Sequence, residues 1–302
     1  SGCISDTITP GGMDDIGRQL DIPVSHEVEL GGHTKPVLAL AVDAAGGRVL
    51  SGGLDNVVKI WDFGGMDRHH RSFREIEPED GYAPVALSFS PSGDRFISAT
   101  GSVQPVIFDR DGSQLLKFVR GDMYLADAQY TKGHTHPLSG ADWHPMEKET
   151  VLTGAADGTL RIWDLNGPTA LEGRLICKTT MKLKSARGTR IPVTACIYDP
   201  DAMCLAAGTQ DGSVQIWGTS GLKQRPDAVA RLGGGMDVTG VSFAPSGRLI
   251  AARGMDDTVR LWDVRKLGKE PLWTQTGLQN FYQTSNAAFS PDSKVVCVGT
   301  SV

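Results

Sequence analysis

Asp157-Gly-Thr-Leu-Arg-Ile-Trp163-Asp164 decides the fold, because the chain writes it more than once. Further copies are Asp55-Asn-Val-Val-Lys-Ile-Trp61-Asp62, Asp211-Gly-Ser-Val-Gln-Ile-Trp217-Gly218 and Asp256-Asp-Thr-Val-Arg-Leu-Trp262-Asp263, with a shortened one at Val106-Ile-Phe108-Asp109. A turn aspartate, a short β-prone run and a closing Trp-Asp, returning about every 40 to 50 residues, mark the four-stranded blades of a β-propeller.

A second phrase lies upstream of each copy: Phe89-Ser-Pro-Ser-Gly93, Trp143-His-Pro145, Tyr198-Asp-Pro200, Phe243-Ala-Pro-Ser-Gly247 and Phe289-Ser-Pro291, with Val42-Asp-Ala-Ala-Gly46 as a weaker first member. The aromatic ends an apolar strand, and the Pro/Ser/Gly set turns the chain into the next. Successive spacings from Val42 are 47, 54, 55, 45 and 46 residues, so insertions fall between blades 2 and 3 and between blades 3 and 4. In blade 1 this predicts strands over Pro36–Val42, Arg48–Gly52, Val57–Trp61 and Ser72–Ile76. The expected fold is all-β, with five complete blades and the first half of a sixth, a fragment of a seven-bladed ring. Residues 1–22 have no hydrophobic period and read as a flexible segment before a propeller over 23–302. Val24–Leu30 is expected to be an outer strand completing the last blade, and Val295–Val298 a strand left with an open edge.

Composition narrows the role. Thirty-seven glycines in 302 residues suit many tight turns, and a net charge of −5 gives no global pull toward nucleic acid or an anionic membrane. The longest basic cluster, Arg68-His-His-Arg71 with Arg74, reads as a solvated sheet edge. Five cysteines, Cys3, Cys177, Cys196, Cys204 and Cys297, show neither C-x-x-C nor finger spacing. Free thiols suit a reducing, intracellular setting, and Cys196 is expected to be buried. No run of about 18 apolar residues occurs, and no secretory leader pattern opens the chain.

Two blades carry a polar set at matching spacing: His33, Ser51, Asp55 and Trp61, then His134, Thr153, Asp157 and Trp163. An indole N–H, a hydroxyl, an imidazole and a carboxylate can satisfy one another in series. Ser, His and Asp also suggest a hydrolase, but here the hydroxyl faces an indole rather than a cleft, so the set is structural. Blades 4 and 5 keep Asp211 and Asp256 but carry Ala207 and Ala252 at the hydroxyl position, and should rely on packing. No nucleotide, metal or nucleophile motif is present, and His134-Thr-His136 lacks a third ligand. The reading is therefore non-catalytic, without cofactor or metal.

The blades resemble those of the WD-repeat propellers. The linker phrases Ile22-Pro-Val-Ser-His-Glu-Val-Glu-Leu30, Trp61-Asp-Phe-Gly-Gly-Met-Asp67, Arg120-Gly-Asp-Met-Tyr124 and Arg253-Gly-Met-Asp-Asp257 resemble the gastrulation-defective (WD repeat-containing protein 70) family. That resemblance implies a longer nuclear protein, a scaffold around chromatin, the DNA-damage response and cullin-RING ubiquitin ligases. The alternative is a WD-repeat subunit of an RNA-processing or other multiprotein assembly.

Trp262-Asp263-Val264-Arg265 is the chain's one Trp-Asp-x-Arg. In WD-repeat substrate receptors a similar box, with an aspartate at the position of Asp256, docks the propeller to a ligase adaptor. A second candidate surface is the ring of loop residues at the entry end of the blades: Lys35, Leu54, Tyr82, His136, Gln210 and Met255, with Ala156, Ile191 and Met236. Mixed apolar and polar groups of this kind suit a protein partner.

Overall fold

The computed structural model describes residues 28–301, apart from 126, 128, 171 and 172. Five consecutive four-stranded antiparallel meanders are followed by a two-stranded hairpin. Blade 1 is built from Val37–Val42, Arg48–Gly53, Val58–Asp62 and Arg74–Ile76, and blade 2 from Pro84–Phe89, Arg95–Thr100, Val106–Asp109 and Gln114–Lys117. Blade 3 comprises Leu138–Trp143, Thr150–Ala155, Thr159–Asp164 and Thr179–Lys182, and blade 4 Val193–Tyr198, Cys204–Thr209, Ser213–Gly218 and Ala228–Arg231. Blade 5 uses Val238–Phe243, Leu249–Gly254, Val259–Asp263 and Trp273–Gln275, and the sixth hairpin Ala287–Phe289 with Val296–Val298. The expected all-β propeller is what the chain forms, with blade 1 within two residues of its predicted strands. The 1–22 segment lies outside the described residues; so do 24–27 of the expected Val24–Leu30 strand, while 28–30 form no strand.

First strands of successive blades pack against one another, blade 1 on 2, 2 on 3, 3 on 4, 4 on 5 and 5 on 6, as a radial stack requires. Close approach needs a small residue at one position, which is Ala99 in blade 2 and glycine in blades 1, 3 and 4. A Cβ on Gly52, Gly154 or Gly208, each fifth in its second strand, would come within 2.7, 2.8 and 2.7 Å of Pro84, Val193 and Val238, the residues that open the next blade. Blade 5 has Arg253 there instead, fully buried, reaching the carbonyls of Leu278 and Gln279 in the link to the sixth hairpin.

Four tryptophans, Trp61, Trp163, Trp217 and Trp262, are buried between sheets. In blade 2 Phe108 takes that place and stacks on Phe96 at 5.3 Å. Each complete blade also has a register break near the start of its first strand, as at Val37/Ala39, Pro84/Ala86 and Val238/Gly240. The inner strands are thus bulged, which adds the twist that a narrow radial wedge demands.

Candidate functional site: two ends of a propeller

Two backbone hydrogen bonds recur and define the ends of the stack. At one end Leu54, Gly101, Ala156, Gln210 and Met255 donate to the carbonyls of Pro36, Ala83, Pro137, Pro192 and Asp237, tying each turn between second and third strands to its entry loop. At the other, Phe63, Arg110, Leu165, Thr219 and Val264 donate to Gly47, Asp94, Glu149, Met203 and Arg248. The entry-end ring and the segment after each Trp-Asp therefore lie on opposite ends.

The polar sets sit at the entry end. In blade 3, Trp163 Nε1 donates to Thr153 Oγ1 at 2.8 Å, His134 Nε2 lies 2.7 Å from that hydroxyl, and His134 Nδ1 lies 3.0 Å from Asp157 Oδ2. The order requires the hydroxyl to donate to Nε2 and Nδ1–H to donate to the carboxylate. Blade 1 repeats this with 2.8 Å from Trp61 to Ser51, 2.8 Å from Ser51 to His33 and 3.1 Å from His33 to Asp55. Burial alone would raise Asp157, but bonds from His134, Thr159 and the Thr135 N–H outweigh it and hold the carboxyl well below its usual range. Burial lowers the His134 imidazole, favouring its neutral form. Blade 4 shows what omission costs: with Ala207 at the hydroxyl position, the buried Trp217 Nε1 has no partner. Blade 2 is the mirror case, where Ser98 remains, Phe108 supplies no N–H, and the buried Ser98 Oγ is unpartnered.

The entry-end ring is largely exposed. Lys35, Leu54, Tyr82, His136, Gln210, Ala156 and Met236 face solvent and Met255 is half-buried. Ile191 does not belong to it: at 5% exposure it packs inward, because its N–H bonds to Leu183 and closes a short hairpin beneath the surface. Sequence reasoning missed an apolar addition, the loop carrying Met123, Tyr124 and Tyr130, which are 58%, 91% and 76% exposed. The signal was an apolar run inside a predicted insertion.

At the far end, Arg265 lies on a single 3-10 turn, Val264–Lys266, capped by Asp263, whose side chain accepts from the Arg265 N–H at 2.9 Å. The Arg265 side chain is exposed and Trp262 buried. Asp256 is not beside them. It lies in the entry-end turn, bonded to Thr258 and, at 3.1 Å, to Arg260, so the four box residues span the blade rather than converge.

A polar junction that no motif announced links three blades. Asp142, next to last in blade 3's first strand, accepts from Ser88 Oγ of blade 2 at 3.0 Å, from the Tyr198 N–H of blade 4 at 2.8 Å and from the Trp143 N–H at 3.0 Å. First strands are sheet edges, so their outward N–H groups need partners from outside the sheet. Burial pushes the Asp142 carboxyl up to about 6 despite these bonds. Among the described residues the four cysteines Cys177, Cys196, Cys204 and Cys297 are free; Cys196, expected to be buried, is half-buried as a residue, with its sulfur packed against Gly140 and Gly154, and that desolvation raises the thiol well above its usual range. No group of three or more His, Cys, Asp or Glu side chains is placed to hold a metal among the described residues.

Radial meanders closed by Trp-Asp lines define a WD-repeat propeller, and the chain belongs to the WD-repeat family. The family model "WD domain, G-beta repeat" matches residues 25–62, 128–164, 178–218 and 229–263, passing over blade 2, the one with Phe108 for Trp. The chain is similar to WD repeat-containing protein 70 of Xenopus tropicalis, 39% identical over 96% of this chain and 46% of that protein. It is likewise 38% identical to the gastrulation defective protein 1 homolog of Drosophila melanogaster, over 93% and 42% respectively. With human WD repeat-containing protein 70 the identity is 36%, over 93% and 42%. The chain spans less than half the length of these relatives.

Proposed function

We propose that the protein is a non-catalytic interaction scaffold that serves as a nuclear adaptor or substrate receptor for a cullin-RING ubiquitin ligase, acting around chromatin and the DNA-damage response. The observation that carries the docking role is Arg265: it is exposed immediately after a buried Trp262 and a capped Asp263, and its guanidinium has no hydrogen bond or ion pair among the described residues. A guanidinium held on a short turn is preorganised for a carboxylate or carbonyl of a partner. The entry-end ring, facing the opposite way, is then the surface for a substrate protein. Support for a role without catalysis comes from the two His–Asp–hydroxyl sets, each of which ends on an indole rather than on open space.

The full-length protein, used as bait beside its Arg265→Glu variant, tests this. Capture of the ligase adaptor by the native protein and its loss in the variant is the expected result. Undiminished capture by Arg265→Glu, or a native complex dominated by RNA-processing components, would overturn the adaptor role.

A further inference from the structure

The outer rim between blades 4 and 5 holds an open cleft of about 470 Å³. One wall is the hairpin after blade 3, with Lys184; another is the outer strand of blade 4, with Val229 and Arg231; Lys269, beyond the blade 5 turn, closes the third side. Three cations line it and no carboxylate does. None of the three side chains has an ion pair among the described residues.

The floor is more specific than the rim. Gln215 is 2% exposed and Ser213 1%. Gln215 Nε2 donates to the Lys184 carbonyl at 3.3 Å and to Ser213 Oγ at 3.1 Å, which sets the orientation of the amide. Its Oε1 is thereby aimed away from both partners, buried and without a donor. A buried carbonyl left unpaired costs about 1 to 3 kcal/mol. Ala228–Arg231 is also the edge strand of its sheet, with backbone groups available for pairing.

We infer that this cleft binds an acidic segment of a partner protein in extended form. Its backbone would pair along Ala228–Arg231, while its carboxylates meet Lys184, Arg231 and Lys269. A lone phosphate would meet the cations but leave the Ala228–Arg231 edge unpaired. A nucleic-acid strand would call for a longer basic track and stacking aromatics, and no aromatic lines this cleft. Lys269 follows Arg265 on the same segment of blade 5, so the test leaves Arg265 untouched and its failure is distinguishable from that of the Arg265 edge.

The probe is a fluorescein-labelled peptide of alternating glutamate and valine, titrated by anisotropy into the chain. A lysine-valine peptide, inorganic phosphate and a ten-nucleotide oligothymidine run beside it. The acidic peptide should bind, with amide protection on hydrogen exchange rising at Ala228–Arg231. A Lys184→Glu, Arg231→Glu double variant should weaken it at least tenfold, whereas Lys184→Arg, Arg231→Lys should retain it. Both positions are exposed, and unchanged melting of the variants will verify that the fold is intact. No binding by the native chain, equal affinity in the charge-reversed variant, tighter binding of the oligothymidine or of phosphate, or protection confined to the entry-end loops would each overturn it.

Discussion

Blades 3 and 4 are neighbours with the same strand plan, yet they solve the same problem differently. Blade 3 satisfies its buried indole through Thr153, His134 and Asp157, whereas blade 4 buries Trp217 with no partner and bonds Asp211 only locally, to Thr209 and Ser213. The difference teaches that the Trp-Asp line specifies a packing position, and that the polar set is an addition to it. The stack of blades tolerates one without the network.

The largest test of the contrast is His134→Ala. It leaves a cavity and removes the hydrogen bonds that the ring makes to Thr153 and Asp157, and should destabilise by about 2 to 5 kcal/mol. Met236→Ala, exposed at 52%, should shift the urea midpoint hardly at all. Equal shifts for the two would show that blade 3 is held by packing alone.

Asp142 sits on the boundary between the two blades and makes the comparison depend on pH. Its folded pKa is raised, so the protonated carboxyl favours the fold below the unfolded carboxylate range, and this contribution is lost as pH rises through about 6. An Asp142→Asn variant lacks the titration. Relative to the native chain it should therefore gain stability between pH 4 and 7, by up to about 3 kcal/mol. Parallel urea curves at the two pH values would remove the buried-acid account.

Smaller effects run the other way. Ala207→Ser gives Trp217 the acceptor that Ser51 and Thr153 provide elsewhere, and should stabilise blade 4 by about 1 kcal/mol. Ala202 occupies, at φ 57°, the turn position held by Gly46, Gly93 and Gly247 in other blades. Ala202→Gly should relieve strain worth about 1 kcal/mol, partly offset by the freedom glycine gains in the unfolded chain. Calorimetric melting temperatures that fall in both variants would contradict these signs.

Much of this architecture was legible in the residues. The Trp-Asp lines, the aromatic-Pro turns and the matched spacing of His33 with His134 are local patterns, and local patterns survive into the fold. What was hidden depends on neighbours in space. Asp142 occupies a strand position that other blades fill with Ser88, Ile197 and Ser242, and only the approach of three first strands gives it its partners. The register breaks leave no mark because the same residues suit a straight strand. Ile191 looked like a rim residue until a hairpin folded it under.

Arg253 carries a consequence for how the molecule comes apart. In a stack where each unit touches only its neighbours, stability is a sum over joints, and the weakest joint sets where fraying begins. Earlier joints close over a small residue, Gly52, Ala99, Gly154 or Gly208; the joint after blade 5 closes over a buried guanidinium whose Nε and Nη1 have no partner. Unzipping therefore starts there, and the amides of Ala287–Phe289 and Val296–Val298 will exchange ahead of every blade between 2 and 5.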